Sequence, residues 1–130
     1  MFTAPLPHHS NTSNFLFLRS VLLFLKKRTK ESIKVIGKDK LEKFFKKYAD
    51  SKSALIAWHR DAIDSSWNTP QDIKNRYRSA DFLSDNRVIF NIKGNNYRLV
   101  IRVRYQNGIA VILWVGTHAE YNKENFRGKR

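Results

Sequence analysis

The chain contains no cysteine. That excludes disulfides, thiolate zinc sites and a cysteine nucleophile, and it fits a reducing cytoplasm. Glycine and proline are scarce, at five and three residues in 130. No glycine-rich phosphate loop can be built from them, because Gly94, Gly108 and Gly116 each stand singly and read as turn positions. Acidic residues are few, 11 against 25 lysines and arginines, which gives a net charge of +14. Asp39, Glu42, Asp61 and Asp64 read as helix-exterior positions, which argues against a two-carboxylate hydrolase or a divalent-metal nuclease. No two histidines stand at metal-ligand spacing, and His8-His9 is read as incidental, so neither a metal nor a cofactor is expected. The apolar stretch 15–25 is eleven residues long and is broken by Arg19 and Ser20. A bilayer span needs roughly 20 residues. The basic cluster Lys26-Lys27-Arg28 follows this stretch instead of preceding it, the reverse of a signal peptide.

What is present is positive charge in one region. The first 32 residues hold five basic residues and one acidic residue, so 33–130 carries +10. With aromatic residues at 13%, that balance points to a nucleic-acid partner. Residues 1–14 are polar, hold two of the three prolines and lack periodicity, as a disordered tail does. The expected organisation is a dispensable extension at 1–32 and one domain at 33–130, with a frayed basic tail from Lys123.

Within the domain, Ile33–Ile36 reads as a strand closed by Gly37, and Lys38–Tyr48 as a helix with Leu41, Phe44, Phe45 and Tyr48 at helical spacing. Asp50 and Ser51 are candidate caps for a second helix, Lys52–Ser65, whose buried stripe is Leu55, Trp58 and Ala62. Thr69-Pro70-Gln71-Asp72 starts a third, short helix ending near Tyr77. Ser79–Asn86 reads as a loop. Thr117-His118-Ala119-Glu120 matches a capping box, so a last helix starts there. Helices first and strands later give an α+β domain, with helices packed on the apolar face of an antiparallel sheet.

Arg87–Tyr121 is the most informative stretch. Three runs rich in Val, Ile and aromatics are separated by Lys-Gly-Asn-Asn and Gln-Asn-Gly, the signature of an antiparallel meander. If Ile92 pairs with Tyr97, then Asn91 faces Arg98, Ile89 faces Val100 and Arg87 faces Arg102. Alternation puts Val88, Phe90, Ile92, Tyr97, Leu99, Ile101 and Val103 on one face, and Arg87, Asn91, Arg98, Arg102 and Arg104 on the other. Like charges directly opposite each other destabilise a sheet, so this stripe predicts an external anion. Trp114 is expected on the apolar face with Ile112, and Trp58 and Trp67 in the core.

The remaining reactive types are Arg, Lys, His and Tyr. They suffice for metal-independent RNA cleavage, because the 2′-hydroxyl is itself the nucleophile and needs only proton transfer and positive charge at the phosphate. His118, at a strand end and helix start close to Tyr121, is the sharpest candidate. His59 is read as an exposed mid-helix histidine. Two other readings stand beside the enzyme: a non-catalytic basic module that binds RNA or ribosomes, and a membrane-surface protein using residues 15–28.

Three strings carry a family resemblance: Tyr77-Arg78-Ser79-Ala80-Asp81-Phe82-Leu83, Arg87-Val88-Ile89-Phe90-Asn91-Ile92-Lys93-Gly94-Asn95-Asn96-Tyr97-Arg98-Leu99-Val100, and Val115-Gly116-Thr117-His118-Ala119-Glu120-Tyr121. In order and register over about residues 34–125, the chain resembles the HigB toxins, bacterial type II toxins of the RelE superfamily. The resemblance implies a compact α+β fold and ribosome-dependent cleavage of mRNA, without a metal, that inhibits translation. It also implies a cytoplasmic protein with no membrane partner, neutralised by a HigA antitoxin with a helix-turn-helix domain; operator DNA is reached only through that antitoxin. Carried over to this sequence, His118, Arg98, Tyr121 and Lys93 are expected to be catalytic, and Arg78, Arg87, Asn91, Arg102 and Arg104 to bind RNA. Arg98, with Lys93, would stabilise the pentacoordinate phosphate, His118 would move a proton, and Tyr121 would orient His118 or stack on a base. Relatives often carry Asp after that tyrosine; here it is Asn122, so no acid role is available at that position.

Overall fold

The computed structural model describes residues 32–124 and Phe126. The expectations for residues 1–32 therefore fall, Ser32 apart, outside the described residues. The element order is β1 (Lys34–Ile36), α1 (Lys38–Lys47), a 3₁₀ turn (Ala49–Ser51), α2 (Lys52–Ile63), α3 (Pro70–Arg76), β2 (Asp81–Leu83), β3 (Arg87–Ile92), β4 (Tyr97–Arg104), β5 (Ile109–Thr117) and α4 (His118–Glu124). Among the described residues no helix is long and apolar enough to cross a membrane.

The helices form where their sequences dictate. Gly37 precedes α1 with φ of 99°, a left-handed conformation that favours glycine. A side chain there would also crowd Ile112, whose Cβ and carbonyl oxygen lie 3.2 Å from the added atom. Helix α2 buries Leu55, Trp58 and Ala62, as the spacing requires. Helix α3 has a full capping box: Thr69 Oγ1 accepts from the Asp72 N–H, and the Asp72 carboxylate accepts from the Thr69 N–H. Ser51 does not cap α2. Its hydroxyl donates to the Tyr48 carbonyl oxygen at 2.7 Å, because a 3₁₀ turn leads directly into the helix.

The five strands run β1-β5-β4-β3-β2 across the sheet. Only β1 is parallel to its neighbour, pairing Val35 with Ala110. The register of β3 and β4 is the one the turn implied: Ile92 with Tyr97, Asn91 with Arg98, Arg87 with Arg102. The segment expected as a loop holds an edge strand, since Phe82 pairs with Val88. Three residues are too few to show alternation, and the pairing is supplied by β3.

Helices α1, α2 and α3 cover the apolar face. Leu41, Leu55, Trp58, Ala62 and Ile73 pack against Val88, Phe90, Leu99, Ile101, Val103 and Ile112. Phe90 is the hub, with Tyr77 at 4.9 Å, Trp58 at 5.4 Å and Trp67 at 6.2 Å between ring centres. Such buried aromatic contacts add about 0.5–1.5 kcal/mol each beyond area burial. His59 is half-buried, not exposed, and burial, with Lys38 nearby, lowers its basicity. Asp61 is likewise no free surface acid; it accepts from the Tyr77 hydroxyl and from Arg76 at 3.1 Å. That contact and the burial of the Tyr77 ring raise the pKa of its phenol, with burial the larger cause.

A bulge decides what the second face of the sheet looks like. Val100 pairs with Trp114 but Ile101 pairs with Ile112, so Leu113 is an extra residue that reverses sidedness. Trp114 therefore leaves the core face. It joins Ile89, Val100, Leu83, Leu113, Tyr121 and Phe126 in a separate apolar cluster on the opposite face. Phe126 is buried there, so this position of the C-terminal segment is packed, not frayed.

Candidate active site

The apolar cluster splits the arginine stripe into two groups. At one end, β3 and β4 place Arg87 opposite Arg102, and the chain supplies acceptors for both. Arg87 is buried, and its Nε donates to the Ser84 carbonyl oxygen at 3.1 Å. Arg102 Nη2 donates to the Asp85 carboxylate at 2.7 Å. The anion that the sequence demanded here is thus partly internal, in the β2–β3 turn. Arg104 and Arg78 are exposed. Arg102 lies four strand steps from Arg98, roughly 13 Å along β4, and Arg104 lies beyond it on the same strand.

At the other end Arg98 is held on three sides. Its Nη1 donates to the Oδ1 of Asn91, directly opposite on β3, and to the Oδ1 of Asn95 in the β3–β4 turn at 2.7 Å. Its guanidinium carbon lies 5.7 Å from the centre of the Tyr121 ring. A cation over an aromatic face is stabilised by about 0.5–2 kcal/mol. Tyr121 in turn stacks on Phe126, ring centres 5.5 Å apart, and leans on Trp114 at 6.1 Å. Its hydroxyl is buried with no hydrogen-bond partner among the described residues. The tyrosine therefore serves as a platform under Arg98 here, and no hydrogen bond links it to His118.

Gly116 belongs to this arrangement. It was expected at a turn, but it lies within β5 directly opposite Arg98. A Cβ at Gly116 would sit 2.4 Å from the Trp114 indole. Only a residue without a side chain lets that indole fold beside Arg98 and support Tyr121.

His118 opens α4. Thr117 and Glu120 form the expected capping box: the Thr117 N–H donates to Glu120 Oε1 at 2.8 Å, and the Glu120 N–H to Thr117 Oγ1 at 3.1 Å. The His118 N–H donates to the Asn96 carbonyl oxygen at 3.1 Å. This ties the histidine's backbone to the same turn that supplies Asn95. The imidazole is half-buried and makes no side-chain hydrogen bond among the described residues.

Lys93 is in the turn but turned elsewhere. Its φ is 52°, and its ammonium pairs with Asp50 at 3.0 Å. Asp50 also accepts from the Tyr97 hydroxyl at 2.5 Å. The hydrogen bonds from Tyr97 and Lys93 hold the Asp50 carboxyl below the usual carboxylate range. The carboxylate in turn pushes the Tyr97 phenol up to about 12. Asp50, expected as a cap, instead anchors the turn.

The structure thus gathers Arg98, Asn91, Tyr121 and His118 around one turn, with Lys93 on the far side of it. It keeps Arg87, Arg102 and Arg104 farther along β3 and β4, while Arg78 follows α3, outside the strands. Asn95, Asp50, Trp114 and Phe126 were missed. The available signal for Asn95 was its place three residues before Arg98, on the hairpin that sets Asn91 opposite that arginine. Among the described residues, no three His, Asp or Glu side chains gather as a metal site requires.

This arrangement offers a fixed cation and a histidine beside an exposed turn, the elements of phosphate chemistry on RNA. The chain is similar to an mRNA interferase HigB of Escherichia coli O6:H1, 25% identical over 91 residues, which is 68% of this chain and 88% of that protein. The sequence model of HigB_toxin, the RelE-like toxic component of a toxin-antitoxin system, matches residues 51–124. With more than half its length matched, the chain belongs to the HigB toxin family.

Proposed function

We propose that the chain is a cytoplasmic endoribonuclease toxin that cleaves mRNA on the ribosome, without a metal, and so inhibits translation. The observation that carries this is the convergence of Arg98, Asn91, Tyr121 and His118 on the β3–β4 turn. The activity of its relative, an mRNA interferase, supports it. In the reaction the 2′-hydroxyl oxygen attacks the adjacent phosphorus and the bond to the 5′ oxygen breaks. One proton leaves the 2′-hydroxyl and one is delivered to the departing 5′ oxygen. The products are a 2′,3′-cyclic phosphate and a 5′-hydroxyl end. Arg98 stabilises the charge on the pentacoordinate phosphate, and His118 transfers one of the protons. Arg78, Arg102 and Arg104 contact phosphates farther along the RNA; Lys93 acts only if RNA displaces it from Asp50.

The antitoxin implied by the family is a HigA-type protein with a helix-turn-helix domain, and operator DNA is reached only through it. The toxin domain is residues 33–130, and a chain beginning at Ile33 arrests growth like the full chain. Loss of folding or toxicity on this truncation would contradict that boundary. The reaction itself is tested by mRNA carrying a 2′-deoxynucleotide at the mapped cleavage site. The account predicts that this block abolishes cleavage on translating ribosomes. Cleavage of the deoxy-substituted message would contradict 2′-hydroxyl chemistry, and an all-ribose message left intact with the protein bound would point toward a binding module.

A further inference from the structure

We infer that Asn95 is a positioning residue, holding Arg98 in place for an RNA phosphate without neutralising it. The inference rests on the endoribonuclease reading above and deepens it. Three other cations in this fold are paired with carboxylates: Arg76 with Asp61, Lys93 with Asp50 and Arg102 with Asp85. Among the described residues Arg98 has no carboxylate partner. It is fixed by two neutral amide oxygens, those of Asn91 and Asn95, and by the face of Tyr121. A carboxylate at either position would form a charge-assisted pair and compete with an incoming phosphate. An amide fixes the guanidinium and leaves its full charge available.

The donors divide in the same way. Nη1 has two N–H groups, and two amide oxygens face it. Nη2 and Nε have no partner among the described residues. Those two nitrogens form the side of the guanidinium that can grip a phosphate bidentately.

Asn95 is itself held by the turn. Lys93 anchors the turn to Asp50, and the Asn96 N–H donates to the Lys93 carbonyl oxygen at 3.2 Å. The Asn96 carbonyl oxygen takes the His118 N–H. One turn thus fixes the side chain of the phosphate-binding arginine and the backbone of the proton-transferring histidine. Fixing two groups in one frame is what makes a small displacement costly, up to 10²-fold for about 1 Å.

The test compares Asn95→Ala and Asn95→Asp, each alone and combined with Arg98→Ala, for cleavage of mRNA on translating ribosomes. Asn95 is exposed, so both variants should fold, which thermal melting checks. Asn95→Ala is expected to lower kcat by on the order of 10-fold to 10²-fold, with a smaller change in KM. Asn95→Asp should be slower still, because the new carboxylate neutralises Arg98. In the Arg98→Ala background, Asn95→Ala should cost nothing further, since coupled residues are not additive. NMR of the Arg98 guanidinium gives a readout independent of activity, with restricted Nη1 signals that become averaged in Asn95→Ala. An active wild type whose Asn95→Ala loss persists in the Arg98→Ala background would overturn the inference and leave the endoribonuclease reading intact. Asn95→Asp faster than Asn95→Ala would do the same. A wild type that cleaves no mRNA would overturn the endoribonuclease reading, and the positioning role with it.

Discussion

Arg98 lies over the ring of Tyr121, 5.7 Å from guanidinium carbon to ring centre. The tyrosine hydroxyl is buried and unpartnered among the described residues. The ring, not the hydroxyl, is therefore the working part. Tyr121→Phe should keep cleavage within a few-fold of wild type and should be neutral or slightly stabilising, because it removes a buried polar group that lacks a hydrogen bond. Tyr121→Leu should slow cleavage markedly, since it removes the platform and its cation–π contact of about 0.5–2 kcal/mol. Parallel rate measurements on the two variants decide between platform and proton donor; a large loss in Tyr121→Phe would contradict the platform.

The link between Asp50 and Tyr97 has a pH signature of defined sign. Tyr97 ionises at about 12 in the folded protein against 10.0 ordinarily. A raised folded pKa means this contribution is fully present below pH 10.0 and fades as pH rises toward 12. Asp50 is lowered from its ordinary 3.8, so its contribution is present above pH 3.8 and is lost as pH falls below it. The stability difference between wild type and Tyr97→Phe should be constant across neutral pH and shrink at both extremes. Melting curves over pH measure it; a difference that does not change with pH would contradict the link.

The far end of the basic face should act through charge alone. Arg104→Ala should reduce the salt dependence of RNA or ribosome binding, since each phosphate contact contributes roughly 0.7–0.9 to the log–log slope. Arg102→Ala should do so less, because Asp85 already neutralises Arg102 at 2.7 Å. Binding titrations at several salt concentrations test this. Equal and unchanged slopes in both variants would place RNA elsewhere.

Much of this was readable in the sequence, for physical reasons. The register of β3 and β4 follows from a turn that fixes the pairing and from alternation that a one-residue slip would invert. The caps at Thr69 and Thr117 are local hydrogen-bond chemistry, so local sequence specifies them. The bulge at Leu113 was invisible because Val111-Ile112-Leu113-Trp114-Val115 is apolar throughout, and a continuous run cannot display a change of face. With the bulge unseen, Trp114 was placed in the core and the arginine stripe was read as unbroken. The pairing of Arg102 with Asp85, and of Lys93 with Asp50, needed the third dimension; Asp50 lies 43 residues from Lys93 in the chain. His118 and Arg98 stand out by residue type, whereas Asn95 looks like any turn residue.

The central claim is that His118 transfers a proton during mRNA cleavage at a phosphate held by Arg98. The most direct measurement is the rate of mRNA cleavage on translating ribosomes by wild type and by His118→Ala, with ribosome binding measured on the same preparations. The account predicts a loss on the order of 10²–10⁴-fold in rate, with binding retained because the arginines supply most of it. Cleavage by His118→Ala at the wild-type rate would contradict the account.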